Sequence, residues 1–274
     1  MADGKKSEEH GVRYWEYIGL DDLLSLQHPK TDAHDEMQFI MVHQAFEIWF
    51  RLAIYELREV IARLEKGDLA GGQTLMHRVG VILRSAVKGF DPLVTMSMQG
   101  YAAFRDALTP ASGFQSVQFR VIELLLGIEP DEEDRFYWEH AVQAGETYHA
   151  FMGKYQEGLR DELVALKGRT LRRIMLRLVE ESTDLVGAEA YREVHRRRND
   201  FPDHYALAES ARDLQQAVID FRLGHHKVTV FSIGAHAAGT SDSHAADHPS
   251  CAQYLLNVIR DRATIFPELE EALS

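Results

Sequence analysis

Two of the fourteen histidines fall on helix faces that are otherwise apolar, where an imidazole has few ordinary reasons to be. His43 sits in the run Phe39-Ile40-Met41-Val42-His43, one turn from both Phe39 and Phe46, so its ring projects toward the interior. Further along, Leu214, Val218, Phe221, His225, Val228 and Ser232 recur in alternating steps of four and three, which puts His225 on a core-facing stripe and turns His226 elsewhere. Two chemistries suit such a residue. It is either a core histidine satisfied by one hydrogen bond, with Glu47 at i+4 the natural partner for His43, or a nitrogen donor facing a buried ligand. A neutral imidazole in an apolar, water-poor groove between helices is what an axial haem ligand requires, because a porphyrin needs flat hydrophobic walls and one nitrogen donor. The residue pattern alone leaves both readings open.

Other metal and nucleophile chemistries fit less well. Glu146-Thr147-Tyr148-His149 is a single Glu-x-x-His, whereas a ferritin-like di-iron site uses two on different helices. No His-Glu-x-x-His, no Gly-x-Ser-x-Gly elbow and no glycine-rich phosphate loop is present. His236, His244 and His248 are irregularly spaced within one loop, a weak basis for a metal site. The lone Cys251 excludes an intrachain disulfide and any cysteine-built zinc or iron–sulfur centre, and it suits a reducing compartment.

With 30 basic and 43 acidic residues, the formal charge of −13 disfavours nucleic acid and anionic membranes, both of which reward clustered Lys and Arg. The one basic run, His195-Arg196-Arg197-Arg198, precedes Asn199-Asp200-Phe201-Pro202 and reads as a solvated helix end. The first ten residues are polar with no apolar stretch behind them, so neither a secretory signal nor a membrane span is expected there; a cytoplasmic location follows.

The elements that must position these histidines are helices. Apolar residues recur at three and four in long windows, and strict alternation is hard to find, so the fold class expected is all-α. Helices are expected over 20–27, 36–65, 74–90, 101–108, 114–127, 132–155, 157–185 and 206–233, with breaks at Pro92, Pro110, Pro130 and Pro202. Asp32 or Asp35 would cap the second of these, and Gly67 would close it. No fixed-period repeat appears, so residues 1–12 read as a flexible tail and 13–274 as one domain. Residues 234–249 read as a long loop, a length often associated with lids or binding loops.

Several segments, taken in order, resemble the tryptophan 2,3-dioxygenase family. They are Tyr14-Trp15-Glu16-Tyr17-Ile18-Gly19-Leu20-Asp21, Leu24-Ser25-Leu26-Gln27-His28-Pro29, His34-Asp35-Glu36-Met37-Gln38-Phe39-Ile40-Met41-Val42-His43-Gln44, Glu47-Ile48-Trp49-Phe50, Tyr101-Ala102-Ala103-Phe104-Arg105-Asp106 and Ala111-Ser112-Gly113-Phe114-Gln115-Ser116-Val117-Gln118-Phe119-Arg120. The resemblance implies a single-domain helical bundle enclosing haem b, with O2 as co-substrate and an indole as substrate. It further implies a homotetramer, or a dimer, in which the N-terminal segment of one subunit completes the pocket of another. By the same resemblance His225 matches the axial haem ligand and His43 the histidine beside the indole N–H. Phe39 would wall the pocket, Arg105 would bind the substrate carboxylate with Tyr101 one turn before it, and Tyr14 and Tyr17 would belong to the exchanged segment. Thr240 matches the threonine that helps hold the amino-acid end of tryptophan.

The loop around Thr240 departs from the family pattern Gly-Thr-Gly-Gly-Ser-Ser-Gly, reading Gly239-Thr240-Ser241-Asp242-Ser243-His244. Glycines there allow positive φ and close approach to a ligand, so their replacement implies a different loop path, and Asp242 and His244 alter the local charge. Three functional readings result. The first is a dioxygenase acting on tryptophan or a close indole derivative. The second is a relative that inserts one oxygen into a substituted indole, and the third is a non-catalytic sensor of haem or indole.

Overall fold

The computed structural model describes residues 11–109, 116–128, 169–234 and 250–274. Among them every regular element is helical: α1 (Tyr14–Tyr17), α2 (Leu20–Leu24), α3 (His34–Glu65), α4 (Leu69–Lys88), α5 (Phe90–Leu93), α6 (Met98–Arg105) with a 3-10 turn after it (Asp106–Leu108), α7 (Val117–Leu126), α8 (Leu171–Thr183), α9 (Gly187–Arg196), α10 (Pro202–Ile233), α11 (Cys251–Asp261) and α12 (Pro267–Leu273). The all-α expectation holds. None of these helices is long and apolar enough to cross a membrane.

The core lies between α3, α4 and α10, which pack side by side, with α7 against α3 and α11 against α10. Ala53, Leu57, Val60 and Leu64 from α3 meet Met76, Val79, Leu83 and Ala86 from α4 and Leu214, Ala217 and Val218 from α10, all buried in one continuous cluster. Small residues on facing helices, Ala53, Ala86, Ala211 and Ala217, leave room for the larger neighbours to interdigitate.

Helix α3 is not started by Asp32 or Asp35. Its N-cap position is Ala33, with no side-chain cap. Glu36, in the first turn and almost fully buried, reaches back to accept from the backbone N–H of Lys30 and Thr31 and from the Thr31 hydroxyl. A carboxylate on three donors fixes the entry loop more firmly than a one-bond cap would. Burial would raise the Glu36 carboxyl, but these bonds outweigh it and hold it below its ordinary value. Past the end of α3, Gly67 takes φ +78°, as expected of the residue that stops this helix.

Three other expectations need correction. Helix α4 begins at Leu69, earlier than the apolar pattern suggests, because Asp68 caps it by accepting from Gly71 N–H. The helix expected to run to residue 185 ends at Thr183, where Asp184 adopts φ 57°, and α9 starts anew after Gly187 at φ 59°. Helices α11 and α12 were not anticipated; α12 packs on α9, and Arg172 of α8 ties it down through Glu268. The basic run behaves as expected: Arg196 and Arg197 pair with Glu193 and Asp200 at the end of α9.

Candidate active site

His43 leaves α3 with its Nδ1 donating to the carbonyl of Phe39 at 2.7 Å. The anticipated partner was Glu47, but helical side chains lean toward the N-terminus, so the ring reaches back to residue 39 rather than forward to 47. Glu47 is engaged by Gln118 of α7, whose amide donates to its carbonyl at 2.7 Å and to its Oε2 at 2.9 Å. A carbonyl only accepts, so Nδ1 carries the proton and Nε2 of the neutral ring presents a lone pair. Burial pushes His43 below its usual 6.5, against the opposing influence of the Phe39 carbonyl and the Glu47 charge.

The ring of Phe39 lies 4.0 Å from that of His43, and Tyr101 and Phe104 of α6 approach Phe39 at 6.0 and 5.5 Å. On the other side, Phe46 sits edge-on to His43 at 5.8 Å and leads to Phe90 at 4.7 Å. Phe90 lies parallel to His225 at 6.1 Å. One aromatic chain therefore runs from α6 through α3 and α5 to α10, with an imidazole near each end. Both imidazoles keep accessible surface although they lie among buried rings, which leaves a face of each open to a ligand.

His225 is pushed down to about 4, mainly by burial and further by the electrostatic effect of His43, His226 and Arg120. It is a neutral nitrogen donor across the ordinary pH range. Its neighbour Gly224 explains how Phe90 comes so close: a Cβ at 224 would stand 2.6 Å from Phe90 Cδ2. A glycine in a helix interior costs about 1 kcal/mol relative to Ala, and that cost buys the approach of a flat ring to the turn that carries His225. Gly224 is the sequence signal for this contact, and it was overlooked.

Arg105 and Tyr101 share a face of α6, both half-buried. The start of α11 comes up to them: buried Cys251 interacts electrostatically with both, and its thiol is pushed up to about 11 by burial despite Arg105. Sequence reading did not link Cys251 to this site, since only the fold brings residue 251 to residue 101. Tyr14 and Tyr17 are not part of the assembly of rings in this chain; they are 71% and 80% exposed on α1, which buries no residue. Thr240, Asp242, His244 and His248 lie outside the described residues, as does Glu146-x-x-His149.

A sequence model of tryptophan 2,3-dioxygenase matches residues 2–156. The chain is 33% identical over 270 residues to the tryptophan 2,3-dioxygenase of Bacillus thuringiensis subsp. konkukian (strain 97-27), covering 95% of this chain and 91% of that relative. The chain belongs to the tryptophan 2,3-dioxygenase family. A member from Burkholderia pseudomallei (strain 668) is 32% identical over 94% of this chain and 82% of its own length. Another, from Anaeromyxobacter sp. (strain K), reaches 44% identity over a shorter stretch of 116 residues, 42% of this chain and 44% of its own length. The family model ends before α10, so His225 falls within the family through the near full-length relatives and not through the model match.

Proposed function

We propose that this chain is a tryptophan 2,3-dioxygenase that uses haem b and O2 to open the C2–C3 bond of the indole ring of tryptophan, yielding N-formylkynurenine. The observation that carries the reading is the pair His43 and His225: two neutral imidazoles within electrostatic range of each other, on two long helices, with aromatic walls between them. Relatives bearing this name span nearly the whole chain, and they lend no support to the single-oxygen relative or the non-catalytic sensor.

The residues at His225 suit haem. The donor is neutral, the Phe90 ring beside it is flat and apolar, and Gly224 removes the side chain that would hold Phe90 away. Haem held at His225 would supply the iron chemistry that activates O2 toward the indole. The protein's own work is placement. His43 Nε2, an acceptor because Nδ1 is committed to Phe39, takes the indole N–H and fixes the orientation of the ring. Phe39 forms the wall against which the indole lies, and Tyr101 sits behind it. Arg105 would hold the substrate carboxylate, and by the family resemblance Thr240 would help bind the same amino-acid end.

Self-association completes the pocket. Tyr14, Trp15 and Tyr17 are exposed on α1, while Met41, Ile48, Leu52 and Tyr55 form an exposed stripe along α3 at spacings of seven, four and three. Apolar surface of this kind on a single chain fits a partner, here further copies of the same chain, as a homotetramer or a dimer with exchanged N-terminal segments. The segment leading into α3 is anchored for this role, since Gln27 donates to Gln44 Oε1 and Gln44 donates back to the Leu26 carbonyl.

Mass spectrometry of the product from tryptophan under O2 tests the reading. Addition of two oxygen atoms is expected; addition of one, or unchanged tryptophan with ferrous haem-loaded protein, would overturn it.

A further inference from the structure

The fully buried apolar positions of α10 stop one turn short of His225, and only half-buried Val228 carries the apolar stripe beyond it. Through Phe221 its buried positions are mostly apolar, Leu207, Ala208, Ala211, Leu214, Ala217, Val218 and Phe221; beyond it they are Arg222, Thr229 and Ser232. Arg222, one turn before His225, is 4% exposed in its side chain. Its guanidinium donates to Glu123 Oε1 of α7 at 2.6 Å and to the backbone carbonyl of Arg262, the C-cap of α11, at 2.5 Å, while its Nε has no partner. The second oxygen of Glu123 accepts from Arg120 at 2.6 Å and lies 3.8 Å from Arg262. Three helices are thus tied at one buried carboxylate, beside the turn that presents His225.

Apolar contact is non-directional and tolerates small rotations of a helix. Charge-assisted bonds from a planar guanidinium are directional and do not. Replacing buried ion clusters by apolar residues is often neutral or stabilising, so stability alone is a poor reason to keep four charged groups here. We infer that Glu123, acting through Arg222, is a positioning residue for the axial ligand: it sets the rotation and pitch of the His225 turn relative to the bound haem. The inference rests on the haem reading of His225.

The test compares haem-loaded Glu123→Gln with the unsubstituted protein and with Glu56→Gln, which removes the charge from another buried glutamate, paired with Arg78 between α3 and α4. The readouts are the iron–histidine stretching band of the ferrous protein by resonance Raman and the rate of haem transfer to an apoglobin acceptor. Glu123→Gln is expected to shift or broaden the band and to speed haem loss by about tenfold or more, while Glu56→Gln moves neither. Should Glu123→Gln not fold, Arg222→Lys, which keeps the charge but loses the fork, carries the same expectation. An unmoved band, or equal changes in the Glu56 variant, overturns the inference. Absence of any iron–histidine band in the unsubstituted protein would instead overturn the ligand assignment, and this inference with it.

Discussion

The bond from His43 Nδ1 to the Phe39 carbonyl, 2.7 Å long, joins the residue assigned to the indole N–H with the residue assigned to the indole face. Because the two rings are also only 4.0 Å apart, one turn of α3 would fix both proposed contacts to the substrate together. Burial lowers the His43 pKa below 6.5, so the ring is still neutral, and Nε2 still an acceptor, at and somewhat below that pH. As pH falls, protonation turns Nε2 into a donor and would remove the acceptor proposed for the indole N–H. The pH profile of kcat/KM for tryptophan is therefore expected to stay level through 6.5 on the acid side and to fall only below it. A decline already centred at 6.5 would mean that His43 is not held neutral.

In the proposed reading Arg105 supplies the charge for the substrate carboxylate. Arg105→Ala is expected to weaken carboxylate-bearing substrates by about 2–5 kcal/mol, the usual cost of truncating one partner of a buried charge pair. An indole without a carboxylate should be indifferent to the change. Binding titrations of tryptophan and a simple methylindole on the same variant check this, and equal losses for both would place Arg105 elsewhere in the mechanism.

Gly224→Ala sets helix propensity against packing. The intrinsic gain of about 1 kcal/mol is offset by a Cβ placed 2.6 Å from the Phe90 ring, an overpacking that typically costs ~1–3 kcal/mol. Phe90 must give way and leave its parallel position beside His225. Lower haem occupancy at unchanged helix content is expected, measured by the ratio of haem to protein absorbance. A variant with full occupancy and higher stability would show that Phe90 does not wall the site.

Much of this was legible in the sequence, for definite reasons. The long helices α3 and α10 announce themselves because their apolar residues keep helical spacing over many turns, and the same spacing singled out His43 and His225. The start of α3 was misread because its carboxylate acts from within the helix, on backbone ahead of it, and not from the cap position. Helix α8 stops two residues short of the expected 185 because Asp184, a non-glycine residue, holds the left-handed conformation there. Phe90, Cys251 and the Glu123–Arg222 pair were invisible for a different reason: contacts across 99 or more residues leave no local periodicity to read.

Glu123 also gives a stability signature. Burial would raise its carboxyl, but the charges of Arg120, Arg222 and Arg262 outweigh that and hold it at about 2, below its usual 4.5. Between these values the unfolded chain binds more protons, so stability is fully present above 4.5 and is lost as pH falls toward 2. At about 1.4 kcal/mol per pKa unit the loss is on the order of 3 kcal/mol. Urea unfolding across this window should show a shallower acid dependence for Glu123→Gln, and an unchanged slope would mean that the carboxylate is not charge-paired in the native state.

The proposed exchange of N-terminal segments makes a separate prediction. Tyr14→Ala with Tyr17→Ala should leave haem content unchanged, since neither ring meets His225 in its own chain, yet raise KM for tryptophan several-fold. Light scattering should give a particle mass that is a multiple of the 31.2 kDa chain. A monomer with unaltered KM would remove the N-terminal segment from the pocket.

The two histidine assignments are tested most directly by the Soret spectra of His225→Ala and His43→Ala, purified side by side. Loss of stoichiometric haem or a large Soret shift in His225→Ala, with a near-normal haem spectrum and impaired turnover in His43→Ala, is the expected result. A normal histidine-ligated spectrum in His225→Ala would contradict the account and move the axial ligand to His226.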